Sequence, residues 1–227
     1  MKFLGKKVKQ RDYLAFTVGI VVTLLILLGI NLIKNMQTPL SPESPSITAA
    51  WLPSTVTRWR IPIEDMSKKY NIDPNLVAII ITMESGGYSK AKSEAGAEGL
   101  MQITPLTAKD IASKYLKQPV SKYNLQDART NIEFGTAYLA FLRDYFGGVD
   151  KGPDSISLVE LIGAGYNGGP GTAQAMLDGE GLKDTQPVIY SRDAFNMWRE
   201  RHAKTSPTFD RWKERGGSTL IDKAKKD

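Results

Sequence analysis

Cysteine is absent from the chain and histidine occurs once, at His202. Without thiols there can be no disulfides and no thiolate metal sites, and one imidazole supports neither a histidine-rich metal centre nor a triad built from scattered histidines. No metal and no cofactor is therefore expected. The same absence leaves the redox compartment open, because a cysteine-free chain tolerates either side of a membrane. Net charge is also scarce once its distribution is followed. Lys2, Lys6, Lys7, Lys9 and Arg11 stand against Asp12 alone, so most of the formal +6 lies in the first twelve residues and the rest is nearly neutral. A nucleic-acid partner is therefore not expected, since the excess charge marks topology and no basic face. Internal repeats are missing and strand signals are few.

What is present begins with an apolar run. YLAFTVGIVVTLLILLGINLI, 21 residues from Tyr13 to Ile33, carries no charge. Roughly 20 apolar residues cross the hydrocarbon core, whereas a signal-peptide core has about 7–15, so residues 13–33 are expected to be an uncleaved transmembrane anchor. The basic flank precedes the run, and only Lys34 lies between it and Arg58. The positive-inside rule then places residues 1–12 in the cytoplasm and the rest outside, as in a single-pass protein of the inner (plasma) membrane. Residues 34–53 hold four prolines among serines and threonines, the composition of a semi-extended linker. A folded body is expected over 54–205, and the mixed charges of 206–227 suggest a solvated tail.

The body reads as mainly α. Asp73-Pro74 is a cap followed by proline at the first helical position, which predicts a helix from Pro74 to Ser85, stopped by Gly86 and Gly87. Thr104-Pro105 repeats the signal for a helix reaching toward Gln118-Pro119. Asp127 caps a longer one closed by Gly147-Gly148. SLVE at 157–160 is a capping box opening a helix to about Gly165, and a last amphipathic helix is expected from Tyr190 to about His202. The glycine-rich stretch 94–103 suits a short hairpin.

One residue stands out in this pattern. Val77, Ile80 and Ile81 lie seven, four and three positions before Glu84, so the carboxylate ends an apolar helical stripe. It also lies in the last turn, where the helix dipole disfavours negative charge. Both effects raise its pKa and suit a proton donor near neutral pH. The residues alone also allow Glu84 to turn into solvent at a frayed end, as most glutamates do.

Glu84-Ser85, Tyr88, Ala91 and Ser93, then GAEGLMQ at 96–102 and Pro105-x-Thr107-Ala108, resemble the signature of the soluble-lytic-transglycosylase catalytic domain, the group related to goose-type lysozyme. Asn131-Ile132, Gly135 and Tyr138-Leu139 are similar to that family's N-I-x-x-G-x-x-Y-L helix, and Gly165-Tyr166-Asn167-Gly168-Gly169-Pro170-Gly171 to its A-Y-N-A-G-P-G turn. The resemblance spans roughly residues 60 to 175. It departs at Gly165 and Gly168, where the family has alanine, and at Gln186, where the family's last motif begins with an acidic residue ahead of the position matched by Tyr190.

The resemblance implies a lysozyme-like α-helical domain behind the transmembrane helix. It implies cleavage of the MurNAc-β-1,4-GlcNAc bond of peptidoglycan with 1,6-anhydro-MurNAc ends, and Glu84 as single catalytic acid and base. Ser93, Gln102, Tyr166, Asn167 and Tyr190 would bind substrate. Glycan strands and the membrane are the implied partners, with room for protein partners in an envelope complex. Two other classes share these features: a hydrolytic muramidase, and a non-catalytic peptidoglycan-binding scaffold that would have no need of Glu84.

Overall fold

A computed structural model of the protein describes residues 46–117, 119–148, 156–179 and 185–227. The chain divides into two units, Met1–Thr38 and Pro39–Asp227, and all described residues belong to the second. The expected cytoplasmic tail 1–12, anchor 13–33 and most of the linker thus lie outside the described residues. Among those described, no helix is long and apolar enough to cross a membrane.

The described part is mainly helical, as expected. Its α-helices are α1 (Ser54–Thr57), α2 (Arg60–Tyr70), α3 (Pro74–Ser85), α4 (Pro105–Lys114), α5 (Ala128–Phe146), α6 (Leu158–Gly168), α7 (Pro170–Leu177), α8 (Gln186–Arg199), α9 (Pro207–Trp212) and α10 (Ser218–Ala224). Two isolated antiparallel bridges, Lys92 with Glu98 and Glu98 with Ile103, are what remains of the expected hairpin.

Helix α3 is the axis of the body. The Asp73 carboxylate accepts from Asn75 N at its start, Pro74 fills the first turn, and Gly86 ends it in the left-handed region at φ 62°. Leu76 through Ile81 are fully buried, so this helix is apolar on all sides rather than along one stripe. Helices α1, α2, α8 and α10 pack on it, while α5 joins α2 to α6 and α6 lies along α7 and α8. The Asp73 carboxylate also accepts from Trp198 Nε1 at 2.8 Å and faces Arg201 Nε at 3.3 Å. The start of α3 is thereby tied to the end of α8 by a buried charge pair.

The last expected helix begins at Gln186, before Tyr190, and the one from Pro105 stops at Lys114, but two stretches differ most from expectation. The end of the expected linker is not a free tether, because Ile47, Ala49 and Leu52 are buried in the core. Burial alternates from Ser46 to Ala50, the period of extended chain, and Thr48 N and Ala49 N both donate to Asn75 Oδ1, at 2.8 and 3.0 Å. The expected solvated tail is folded as well. Ser206 caps α9 by accepting from Phe209 N at 3.0 Å, and Phe209, Ile221 and Ala224 are buried. Most charges of this segment face outward while Phe209, Ile221 and Ala224 face in, too few apolar positions to stand out by periodicity.

Candidate active site

Glu84 ends α3 where the chain must turn sharply. The turn is held from the side by Ser85, whose Oγ donates to Leu100 O at 2.7 Å and accepts from Gly87 N at 3.2 Å. That bond joins the glutamate to the GAEGLMQ loop.

Two of the three sequence motifs interlock through missing side chains. The buried Asn131 side chain accepts from Met101 N at 2.7 Å and donates to Glu98 O at 2.7 Å and Leu125 O at 2.9 Å. It can come this close only because residue 99 is glycine: a Cβ there would lie 2.3 Å from Asn131 Nδ2, and the backbone sits at φ 77°. A Cβ on Gly135 would likewise lie 2.2 Å from Met101 Sδ. Helix α5 therefore grips the loop from beneath through one asparagine and one glycine spaced four apart.

The third motif closes the other side. Tyr166 OH, on α6, donates to Met101 O at 2.7 Å, and Tyr138 OH donates to Gly165 O at 3.1 Å. The two rings lie 5.4 Å apart. Tyr190 OH, on α8, donates to Glu84 Oε1 at 2.7 Å. This bond forms although Gln186 replaces the acidic residue of the family motif.

Burial by this surrounding pushes the Glu84 carboxyl up from 4.5 to about 7, and the Tyr190 hydrogen bond holds back part of the rise. The cause is desolvation of the charged form, opposed by a donor that favours it. Burial, with the Glu84 charge adding to it, pushes Tyr166 and Tyr190 well above the ordinary phenol value, so both remain donors. Among the described residues no second carboxylate contributes to the Glu84 shift. Glu98 is engaged elsewhere, accepting from Lys92 Nζ at 3.0 Å.

A groove of about 410 Å³ adjoins the site. It does not reach Glu84; it shares Tyr166 and Asn167 with the motif residues and runs past Tyr138, Phe141 and Tyr115 to Asp110 and Lys114. Tyr138 and Phe141 are stacked at 5.9 Å, and Phe141 meets Tyr115 edge-on at 6.1 Å. Asn167 is exposed at the groove wall. Of the other expected site residues, Ser93 and Gln102 bond their own turn: Ser93 Oγ accepts from Ala97 N at 3.0 Å, and Gln102 Nε2 donates to Gly99 O at 3.0 Å. Gln102 has φ 47°. The structure thus brings Glu84 and Tyr190 into contact with Tyr166 beside them, while Ser93 and Gln102 each make one bond within the turn that carries them. Phe141 and Tyr115 were not among the expected residues. The signal for Phe141 was available, since it lies three positions after Tyr138 on one face of α5.

The family model for the transglycosylase SLT domain matches residues 61–189, and the chain belongs to that family. Membrane-bound lytic murein transglycosylase E of Buchnera aphidicola subsp. Acyrthosiphon pisum (strain APS) is 35% identical over 150 residues, 64% of this chain and 66% of the relative. The same-named protein of Buchnera aphidicola subsp. Baizongia pistaciae (strain Bp) is 42% identical over 89 residues, 38% of this chain and 42% of the relative. The chain therefore spans just under two thirds of the first relative and less than half of the second. Two solved structures are similar: an inactive mutant of lytic transglycosylase Slt from Pseudomonas aeruginosa (TM-score 0.45, 25% identity, 70% of this chain and 24% of that one) and the 70 kDa soluble lytic transglycosylase from Escherichia coli (0.49, 24%, 67% and 27%).

Proposed function

We propose that the protein is a membrane-anchored lytic transglycosylase that cleaves the MurNAc-β-1,4-GlcNAc bond of peptidoglycan and leaves 1,6-anhydro-MurNAc ends. The observation that carries this reading is the Glu84 carboxyl group, whose pKa burial raises to about 7, bonded to Tyr190 and, among the described residues, with no second carboxylate contributing to that rise. Family membership and the names of the two relatives support the reaction class.

The chemistry follows from one group used twice. The protonated Glu84 gives its proton to the glycosidic oxygen as the bond to the anomeric carbon breaks, and the substrate's own N-acetyl group supports the positive carbon. Tyr190 OH steadies the carboxylate that remains. That carboxylate takes the proton of the C6 hydroxyl, whose oxygen closes on the anomeric carbon, and Glu84 is protonated again. No water enters and no second carboxylate is needed. Tyr166 holds the GLMQ loop in place through Met101 O. The aromatic groove beyond Asn167 offers ring faces to sugars of the same strand.

Anchoring by residues 13–33 would place the domain outside the inner (plasma) membrane, and the names of the membrane-bound relatives support membrane association. The catalytic reading is tested with Glu84→Gln, which is nearly isosteric and cannot donate the proton. General acid–base catalysis contributes about 10²–10⁴-fold, so clearing of purified sacculi should fall by that order with helical circular dichroism unchanged. Clearing near the parental rate would move the chemistry to another residue.

A further inference from the structure

The segment after α9 makes an unexpected contact with the turn that follows Glu84. Residues 86–90 leave the end of α3 and are gripped from two directions. From the N-terminal side, Thr55 Oγ1 donates to Gly86 O at 2.6 Å, and Arg58 Nη2 and Trp59 Nε1 both donate to Gly87 O at 3.1 Å. From the C-terminal side, the α10 backbone lies so close that a Cβ on Gly86 would stand 2.5 Å from Leu220 C. Asp227 completes the grip. Its Oδ2 accepts from Ser89 Oγ at 2.7 Å and Ser89 N at 3.3 Å, and faces Arg58 Nη2 at 3.5 Å, while its Oδ1 faces Lys90 Nζ at 3.3 Å. Asp227 lies at the surface, with its carboxylate covered by these partners.

We propose that Asp227 is a positioning residue for the lytic reaction, clasping residues 87–90 so that Glu84 keeps its place and its dry surroundings; this goes beyond the proposed function and rests on it. The path is continuous. Asp227 fixes Ser89 and, through Arg58, Gly87. Gly87 N donates to Ser85 Oγ, which donates to Leu100 O beside the Met101 carbonyl that Tyr166 holds. A turn freed at Ser89 lets water reach the end of α3, and a hydrated Glu84 loses the desolvation that keeps it protonated. The charged groups facing Asp227 are Arg58 and Lys90, and the titratable groups facing Glu84 are Tyr190 and Tyr166. The Ser89 hydrogen bond, with Lys90 adding to it, holds Asp227 below the usual carboxylate range, so it is ionised wherever Glu84 is protonated near neutrality.

The test uses the full chain with Asp227→Asn, the milder Ser89→Ala, and Asp222→Asn as a control in the same segment, where the partners are the neighbouring Lys225 and Lys226. Two readouts are taken: kcat and KM on soluble glycan strands, and the Glu84 titration followed by the carboxyl carbon shift. A displaced catalytic group costs on the order of tenfold to a hundredfold. Asp227→Asn should lower kcat by that order, Ser89→Ala should lower it less, and both should move the Glu84 titration down from about 7 toward 4.5. The control should match the parent, and Asp227→Glu should recover part of the loss. A melting temperature that falls while kcat and the Glu84 titration stay parental would make the clasp a stability feature and overturn the proposal. If the parent cleaves no glycan, the proposed function fails first. The Glu84 titration then still decides whether Asp227 holds the site.

Discussion

Replacing Tyr190 by phenylalanine isolates the one hydrogen bond on the Glu84 carboxyl group among the described residues. The ring is 6% exposed and would keep its packing, so the change removes an O–H 2.7 Å from Glu84 Oε1 and little else. A hydrogen bond to a charged group contributes about 1.5–3 kcal/mol. Because the neutral acid also accepts a bond, the difference between the two protonation states lies at the low end, and at 1.36 kcal/mol per unit that is about one pKa unit. The sign is upward: the bond holds the Glu84 pKa down, so its loss favours the protonated acid. The alkaline limb of the rate profile, where activity disappears as Glu84 ionises, should move from about 7 to about 8. The plateau rate should drop, since the carboxylate left by proton donation has lost its donor. Anhydro ends released from sacculi, counted between about pH 5 and 9 for parent and variant side by side, give the profile. An alkaline limb that stays in place, or moves down, would refute the claim that Tyr190 supports the ionised form of Glu84.

Three further outcomes follow from the same geometry. Glu84 is protonated more readily folded than unfolded, so parental stability should fall as pH rises from 4.5 to about 7, by about 3 kcal/mol in all; denaturant melts of Glu84→Gln should show a gain over the parent that is larger at alkaline than at acid pH, and an equal gain at both would contradict the buried acid. Gly135→Ala places a methyl group where Met101 Sδ sits and should cost about 1–3 kcal/mol in urea melts while lowering sacculus clearing, because the GLMQ loop is pushed off α5; unchanged activity would detach that loop from catalysis. On cell fractionation the full-length chain should stay in the membrane pellet through a high-salt wash, and a shortened soluble form would turn residues 13–33 into a cleaved signal.

The sequence was most legible where capping chemistry is local. Asp73 and the Ser157–Glu160 box mark helix starts through side-chain bonds that the structure contains, and Gly86 marks an end through its left-handed backbone. Helix α2 was not readable in this way: Trp59 precedes it without a side-chain cap, and Asn71 ends it in the left-handed region at φ 53°. The packing of residues 46–53 and 207–227 was hidden because their anchors are single apolar residues whose partners, such as Asn75 and Gly86, are distant in sequence. At the site, Glu84 stood out by its apolar approach, and the GLMQ, Asn131 and Tyr166 motifs by their order. What pattern could not supply is which of the expected residues face the carboxyl group. Tyr190 does so despite the changed motif around it, while Ser93 Oγ and Gln102 Nε2 each bond their own turn. The Asp227 clasp was invisible for the same reason as the tail's fold, since it joins residues 138 apart.

The central claim is that Glu84 works alone and that the sugar's own C6 hydroxyl replaces water. A well-oriented intramolecular group can act with an effective molarity of roughly 10⁵ M or more, so ring closure should outrun hydrolysis wherever no base activates a water opposite Glu84. Mass spectrometry of the fragments released from purified sacculi, before and after borohydride treatment, separates the two outcomes. Muramyl ends that are 1,6-anhydro sugars, and so resist reduction, are the predicted result. Reducible muramic acid ends as the main product would contradict it and make the protein a muramidase built around the same glutamate.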